Sequence, residues 1–234
     1  MVIFTARIIQ AALLAVLLVA SACAPSASQQ PDLPTGDGYD FFVLSLSWSP
    51  SYCAAEGSDA NRQQCGTGRD HAFVVHGLWP QFESGWPEFC DSAEPARVPD
   101  ATVRQMLDVM PSAGLVGHQW RKHGSCAGMS QQDYFSVVRT ARERINIPTR
   151  FARSAKRVEI EPDDVEADFI AANPTMPEDG IAVTCDGRFV REVRICMTKE
   201  LEFRSCAEVN ARACRMPRAL MPAPGAEAGP TPTD

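Results

Sequence analysis

The stretch FFVLSLSW, Phe41 to Trp48, is the part of the sequence that most directly predicts the fold. Its apolar and aromatic side chains, interrupted only by serines, have the composition and length of a β-strand. A second such run, AFVVHGLW, extends from Ala72 to Trp79. Two further candidates, Ile181 to Cys185 and Phe189 to Cys196, are joined by Asp186-Gly187, a pair typical of tight hairpin turns. Strands are therefore expected towards both ends of the chain.

Helices are predicted between these strands. Thr102 to Met110 follows Asp100 and places its apolar residues on one face. Ser130, with Asp133 three residues later, resembles a capping box and opens an amphipathic helix. A third helix is predicted from Pro162 to Ala172, before Asn173-Pro174. This arrangement favours an α+β fold, with a central antiparallel sheet and helices packed on it, over alternating parallel units.

The N-terminal residues 1–22 have the features of a secretory signal peptide: a cation at Arg7, an apolar run from Ala11 to Ala20, and small residues before Cys23. The run is shorter than the roughly 20 residues that a transmembrane helix needs, so export is expected. Cys23 is placed like the acylated cysteine of a bacterial lipoprotein, although Ala20 stands where such signals more often have leucine. Lipid anchoring and simple cleavage with release both remain open.

Two segments with little apolar patterning flank the expected domain. Residues 23–38 are rich in Pro, Ser, Gln and Gly and are predicted to form a flexible tether. Residues 216–234, rich in Pro, Ala and Gly, are predicted to form a disordered tail. Residues 39–215 are then a single domain, long enough to bury a hydrophobic core.

Charge and cysteine content restrict the function further. The formal net charge of −7 argues against a broad basic surface for nucleic acids, so any chemistry on a polyanion must occur in a local pocket. Of the nine cysteines, eight follow Cys23. An even number of cysteines behind an export signal predicts four disulfides. The sequence pattern alone does not determine which cysteines pair with each other. The absence of any CxxC pair argues against a zinc site.

The segment GHQWRKHGSC, Gly117 to Cys126, contains two of the four histidines. In a helix, at about 100° per residue, one arc presents His118, Gln119, Lys122 and His123, while Trp120 is free to pack behind. A solvated polar face and a zinc site are the alternatives, but the five-residue spacing and the lysine do not suit zinc. Two imidazoles with an ammonium suit proton transfer on an anionic substrate.

A second histidine segment, His71 to Pro80, ends in a strand that carries His76 beside Gly77. By alternation, Val74 and His76 share one face of this strand. Taken alone, each histidine here is more often a hydrogen-bonded core residue, and His71 keeps that interpretation.

FVVHGLWPQ (Phe73 to Gln81) and HQWRKHGSC (His118 to Cys126) together resemble the two active-site segments of the ribonuclease T2 family. LSLSWSPSYC (Leu44 to Cys53) resembles its first strand, and the cysteine spacing from Val183 to Cys206 resembles its C-terminal hairpin region. The resemblance spans nearly all of residues 39–215. It implies a disulfide-stapled fold of this family and an endoribonuclease that needs no metal or other cofactor.

The family cleaves single-stranded RNA through the ribose 2′-hydroxyl, giving a 2′,3′-cyclic phosphate, so DNA should be inert. The resemblance makes His123 the general base and His76 the general acid, with His118 and Lys122 holding the phosphate. Gln119 is a departure, because the family usually has glutamate there. We expect the glutamine to weaken activity without abolishing it.

The resemblance also implies substrate and disulfide assignments. Trp79, Gln81 and Phe82 are candidates for contacting a base, with core packing as the alternative for Trp79. The implied disulfides are Cys53–Cys65, Cys90–Cys126, Cys185–Cys214 and Cys196–Cys206.

Other functions make different predictions. Gln119 could mark a retired enzyme that only binds RNA or acts as an envelope lipoprotein, although its four neighbours in the site are intact. A metal-dependent nuclease or phosphatase would need clustered carboxylates, which neither segment carries. We expect a monomer that acts on single-stranded RNA in the periplasm or outside the cell, with membrane anchoring through Cys23 left open.

Overall fold

The computed structural model describes residues 33–152 and 156–225. The expected signal peptide and Cys23 lie outside these residues. The strands are β1 (Phe41–Trp48), β2 (Phe73–Gln81), β3 (Val158–Ile160), β4 (Ile181–Asp186), β5 (Phe189–Met197) and β6 (Ala219–Met221). The helices are α1 (Ser49–Glu56), α2 (Arg62–Cys65), α3 (Asp100–Met106), α4 (Ala113–Lys122), α5 (Gln131–Glu143), α6 (Thr149–Ala152), α7 (Pro162–Ala172) and α8 (Ala207–Asn210).

The strands form one six-stranded sheet in the order β2-β1-β5-β6-β3, and β4 pairs with β5. The pairs are antiparallel except for a single parallel contact between Phe189 of β5 and Leu220 of β6. The turn between β4 and β5 contains Gly187 at φ 55°, a left-handed conformation that glycine adopts without strain. The predicted α+β fold with a central antiparallel sheet is confirmed.

Strand β1 is buried along its whole length, which explains its nearly continuous apolar sequence. Phe42, Leu44, Leu46 and Trp48 belong to the main hydrophobic core, which also contains residues of α4, α5 and α7. Phe41 and Val43 belong to a smaller cluster with Cys196, Cys206 and Val209. The smaller cluster covers only part of its face of the sheet. The site described below lies on the same face.

The predicted helices are present, with one change of length. Helix α7 has the predicted bounds, and Ser130 caps α5, because its Oγ accepts a hydrogen bond from the Asp133 N–H at 3.1 Å. The helix predicted over Thr102 to Met110 instead ends at Met106. Met110 precedes Pro111, which disfavours a helical conformation there, and Met110 is buried in the core from a turn.

The structure corrects both predicted boundaries of the domain. Leu33, in the expected tether, packs against the core, and the Gly36 carbonyl accepts a hydrogen bond from Lys199. In the expected tail, Ala219–Met221 form β6, and the Pro222 carbonyl accepts a hydrogen bond from the Trp48 indole. The tail prediction was wrong here because the composition of the whole segment concealed the short run Ala219-Leu220-Met221, whose side chains are buried.

The cysteines pair as the resemblance implied: Cys53–Cys65, Cys90–Cys126, Cys185–Cys214 and Cys196–Cys206. The second of these ties the loop after β2 to the end of α4. Within residues 33–152 and 156–225, no helix is long and apolar enough to cross a bilayer.

Candidate active site

His76 lies at an irregularity in β2. Ser45 of β1 pairs with Gly77, and Leu46 pairs with Val75, so His76 is the extra residue of a β-bulge. Bulges redirect side chains and often occur beside active sites. The half-buried imidazole of His76 therefore lines a cleft on the sheet face opposite the main core.

Gly77 makes room for neighbours within the chain. A Cβ atom at this position would overlap Gln119 Oε1 and Trp79 Nε1. The glycine therefore allows close approach of these two side chains to the backbone of β2.

Helix α4 supplies the second histidine segment. Ser112 caps its N-terminus by accepting a hydrogen bond from the Leu115 N–H at 3.1 Å. The helix ends at Lys122, so His123 is the residue that follows its last turn. Gly124 has a packing role, since a Cβ there would overlap Trp120 and Tyr134. Trp120 is buried behind the site, as expected.

The two segments meet. His76, His118, Gln119, Lys122 and His123 all line one cleft of about 320 Å³. Trp79, Gln81 and Phe82 line it as well, so the structure brings every residue proposed for catalysis or base binding to the same place. His71 is not among the residues that line this cleft, and burial lowers the pKa of its imidazole.

Trp79 connects the two segments. Its indole N–H donates to Gln119 Oε1 at 2.8 Å. Its ring centroid lies 5.4 Å from that of His76 and 5.3 Å from that of His123. The Arg194 guanidinium lies 5.2 Å from the centre of the same ring. Trp79 therefore helps to position Gln119 and the two imidazoles. These contacts explain why its side chain is partly buried even when no base is stacked on it.

Glu192 on β5 is a site residue that sequence reasoning missed. His76 Nδ1 and Glu192 Oε1 are 2.5 Å apart. The second carboxylate oxygen accepts hydrogen bonds from Arg194 Nε at 3.0 Å and Nη2 at 2.8 Å. Burial alone would raise the pKa of Glu192, but the hydrogen bond and charge of His76, with the Arg194 guanidinium, outweigh burial and lower that pKa to about 2. Glu192 is therefore ionised at neutral pH.

The imidazole of His123 has the opposite environment. Burial, assisted by the positive charges of Lys122 and the other two histidines of the cleft, lowers the pKa of His123 to about 3. Its Nδ1 atom is buried and has no hydrogen-bond partner among the described residues. Burial and nearby cations also lower the pKa of His118. His123 is consequently neutral near pH 7.

Cations outnumber acids along the cleft. Lys122, Arg194 and Arg212 line it, and Glu208 is the one acidic residue among its lining side chains in the described chain. Glu208 pairs with Arg212 at 2.5 Å, and Lys122 Nζ lies 3.5 Å from Glu88 at the rim. An acidic chain thus carries a small cationic pocket, the arrangement expected for local polyanion chemistry.

Trp86 also lines the cleft and was not predicted. It is partly exposed, and the Arg212 guanidinium lies 4.8 Å from its ring centre. Gln81 is buried, and its Nε2 donates to the Pro80 carbonyl at 2.9 Å. Among residues 33–152 and 156–225, no group of three or more His, Cys, Asp or Glu side chains is placed to hold a metal ion.

Known proteins resemble this chain in sequence and in fold. Residues 39–206 match the Ribonuclease T2 family. A ribonuclease of Aeromonas hydrophila is 33% identical over 177 residues, which cover 69% of this chain and 73% of that protein. Among solved structures, an RNase-related protein from Calystegia sepium has a TM-score of 0.63 at 20% identity, covering 80% of this chain and 98% of that one. RNase NT in complex with 5′-AMP has a TM-score of 0.60 at 22% identity, covering 80% and 99%. The chain therefore belongs to the ribonuclease T2 family.

Proposed function

We propose that this ribonuclease cleaves single-stranded RNA by transphosphorylation, with His123 as general base and His76 as general acid. The observation that carries the proposal is that the two imidazoles line one cleft in opposite electrostatic surroundings. A base must be unprotonated, as the lowered pKa of His123 makes it. An acid must be oriented to give its proton to the leaving oxygen, and the ionised carboxylate of Glu192, 2.5 Å from His76 Nδ1, fixes the orientation of that imidazole.

The reaction proceeds in two steps. His123 takes the proton of the 2′-hydroxyl as its oxygen attacks phosphorus, while the bond from phosphorus to the 5′-oxygen breaks and that oxygen takes a proton from His76. The product is a 2′,3′-cyclic phosphate and a free 5′-hydroxyl. In hydrolysis the roles reverse, since His76 is then neutral and His123 protonated. The substrate must have a 2′-hydroxyl, so DNA is inert.

Lys122, His118 and Gln119 stabilise the phosphate as its negative charge grows. All three lie within the last five residues of α4, and each lines the cleft. The Gln119 side chain is held at Oε1 by Trp79, which leaves its amide N–H group as the donor for a phosphoryl oxygen. Preorganised donors of this kind stabilise a transition state more than mobile ones do. No step uses a metal ion.

Digestion of RNA tests the proposal. Wild type and His76→Ala are incubated with single-stranded RNA, with and without a chelator, and the products are analysed for 2′,3′-cyclic phosphate ends. We expect cyclic phosphate from wild type in both conditions and a loss of at least about 10²-fold in His76→Ala. Loss of activity on chelation would overturn the metal-independent mechanism. Binding without cleavage would favour the alternative, an RNA-binding or envelope protein that Gln119 has inactivated.

Export is part of the same proposal. Four disulfides in the described chain support an oxidising compartment, either periplasmic or extracellular. Cys23 and residues 1–22 lie outside the described residues. Mass spectrometry of the mature N-terminus distinguishes acylation of Cys23 from cleavage and release.

A further inference from the structure

The loop after β2 exposes an unusual amount of aromatic surface. Among the described residues, the large apolar side chains that remain exposed are Phe82, Trp86, Phe89 and Val158, at 39%, 44%, 60% and 39%. Three of these four fall within residues 82–89. Single exposed apolar residues are normal on a protein surface, whereas a cluster beside a cleft indicates a binding surface.

Phe89 is also held in a strained conformation. Its φ of 52° lies in the left-handed region, which a bulky residue rarely adopts. Its N–H donates to the Lys122 carbonyl at 2.9 Å, and the next residue, Cys90, is bonded to Cys126. Backbone strain persists where the surroundings enforce it, and such sites are often functional. Here the two restraints come from the last residue of α4 and from Cys126, four residues after it, and the result is an aromatic ring turned towards solvent.

The position of Phe89 links it to the cleft. Phe82 and Trp86 line the cleft, whereas Phe89 does not and lies beyond Lys122, whose Nζ is 5.9 Å from its ring centre. Lys122 thus both lines the cleft and lies near the exposed ring. Glu88, 3.5 Å from Lys122, is the nearby acid and opposes phosphate binding at the rim. A contact between RNA and this part of the rim must therefore depend on the Phe89 ring and not on phosphate binding.

We infer that Phe89 stacks a base of single-stranded RNA outside the cleft, so that the enzyme prefers strands longer than a dinucleotide. The inference rests on the proposed function, because the strand must first be held in the cleft. An aromatic face accepts any base, and each stacked base contributes a substantial part of the affinity for single strands. The ring therefore adds affinity without base preference.

Binding of an uncleavable strand tests this directly. The Kd of 2′-O-methyl oligouridines of two, four and eight nucleotides is measured by fluorescence anisotropy for wild type, Phe89→Gly, Phe89→Trp and the control Val158→Ala. Glycine removes the ring and relieves the strained φ, so the variant should fold. We expect Phe89→Gly to weaken octamer binding by about 5- to 100-fold and to leave the dinucleotide unchanged. Phe89→Trp and Val158→Ala should bind like wild type.

Cleavage of dinucleotide and octanucleotide RNA separates the two proposals. If wild type cleaves neither, the proposed function fails, while the binding series still judges the role of Phe89. If Phe89→Gly binds both lengths as wild type does, the inference is overturned, and the exposed loop serves another partner such as a protein. An equal loss for the dinucleotide and the octamer would also overturn it, because Phe89 would then contact a base within the cleft.

Discussion

Gln119 is the residue at which this chain departs from the usual family pattern. It is almost completely buried, and its Oε1 accepts the Trp79 indole hydrogen at 2.8 Å. A glutamate has the same acceptor in the same place, so the substitution preserves the link between the two catalytic segments. What is lost is a negative charge, in a cleft where Lys122 and the other histidines already lower the pKa of His123.

Restoring that charge gives a direct prediction. In Gln119→Glu we expect kcat to rise by about three- to tenfold, because a carboxylate can assist proton movement at the phosphate. The added charge should also raise the pKa of His123 and move the acidic limb of the pH–rate profile upwards. Steady-state kinetics between pH 4 and 8 measure both effects. Gln119→Ala, which loses the Trp79 hydrogen bond, is the control and should be slower than wild type. A slower Gln119→Glu enzyme would contradict this role.

Glu192 could not have been predicted from local sequence, because its partner His76 is 116 residues away and lies two strands across the sheet. The signal that was available is weak, because the predicted strand contains three charged residues, Arg191, Glu192 and Arg194, of which only Glu192 is buried. The histidines and lysine were predictable because they occur together in short motifs. Sequence motifs thus identified the groups that we propose to contact substrate, whereas the residue that orients one of them required the strand pairing.

We expect Glu192→Gln to lower kcat by about 10- to 100-fold with little change in KM. The amide keeps the size of the side chain but is a neutral and weaker hydrogen-bond partner, so His76 is less well oriented to give its proton to the leaving oxygen. A loss confined to kcat, with KM unchanged, is what a positioning role predicts and a general structural defect does not. Glu202→Gln, which breaks an exposed pair with Arg144, is the control. An unchanged kcat in Glu192→Gln would refute the role of Glu192.

At the level of elements, β1 explains how His76 and Glu192 meet. The two lie on β2 and β5, with β1 between them, and Ser45 pairs with Gly77 on one side and Arg194 on the other. Ser47 of β1 pairs with Glu192 of β5. By alternation these serines share a face with Phe41 and Val43. Their small side chains leave space for the His76–Glu192 contact to pass over the strand.

Ser45 provides a test of this arrangement. It is fully buried, and its Oγ has no hydrogen-bond partner among the described residues. Ser45→Ala should therefore keep full activity and stay as stable as wild type or gain about 1 kcal/mol. Ser45→Val adds a branched side chain that suits a strand but fills the space above it, so kcat should fall by at least about tenfold. Activity and chemical denaturation of both variants measure the effects, and a fully active Ser45→Val would show that the space is not needed.

The elements that the sequence predicted well are those with strong periodic signals or caps. Helix α7 and the start of β1 were predicted to the residue, and Ser130 forms the predicted cap. The predictions failed where tertiary contacts decide the structure. Strand β6 is three residues long and is stabilised by pairing with β3 and β5, which no local pattern reveals. The bulge at His76 is likewise a product of pairing with β1.

For the whole molecule, the charge distribution agrees with its proposed substrate. The chain has a net charge of −7, yet its cleft is lined by Lys122, Arg194 and Arg212. We therefore expect affinity for RNA to depend on few phosphate contacts and on stacking. The cleft has a cost for stability, because it keeps His123 neutral and buried and keeps Glu192 ionised and buried. Both groups make the fold sensitive to acid.

The sensitivity of the fold to acid is the final prediction. The pKa of His123 is about 3 in the folded protein against 6.5 as the reference, so below pH 6.5 the unfolded chain takes up a proton that the folded protein does not. Stability is then lost as the pH falls from 6.5 towards about 3, by about 1.4 kcal/mol per pH unit. Glu192, with a folded pKa of about 2, adds a loss in the same direction below about pH 4.5.

We expect the free energy of unfolding in urea to fall by about 2 kcal/mol between pH 7 and pH 5 through His123 alone. His123→Asn removes the titrating group and should reduce that slope by the same amount, although the variant is inactive. Glu192→Gln should leave the interval from pH 7 to pH 5 unchanged and flatten the curve only below about pH 4.5, because its carboxyl group is ionised in both states above that pH. An identical pH dependence in wild type and His123→Asn would mean that His123 is not held neutral in the folded protein, and the assignment of this imidazole as the general base would lose its physical support.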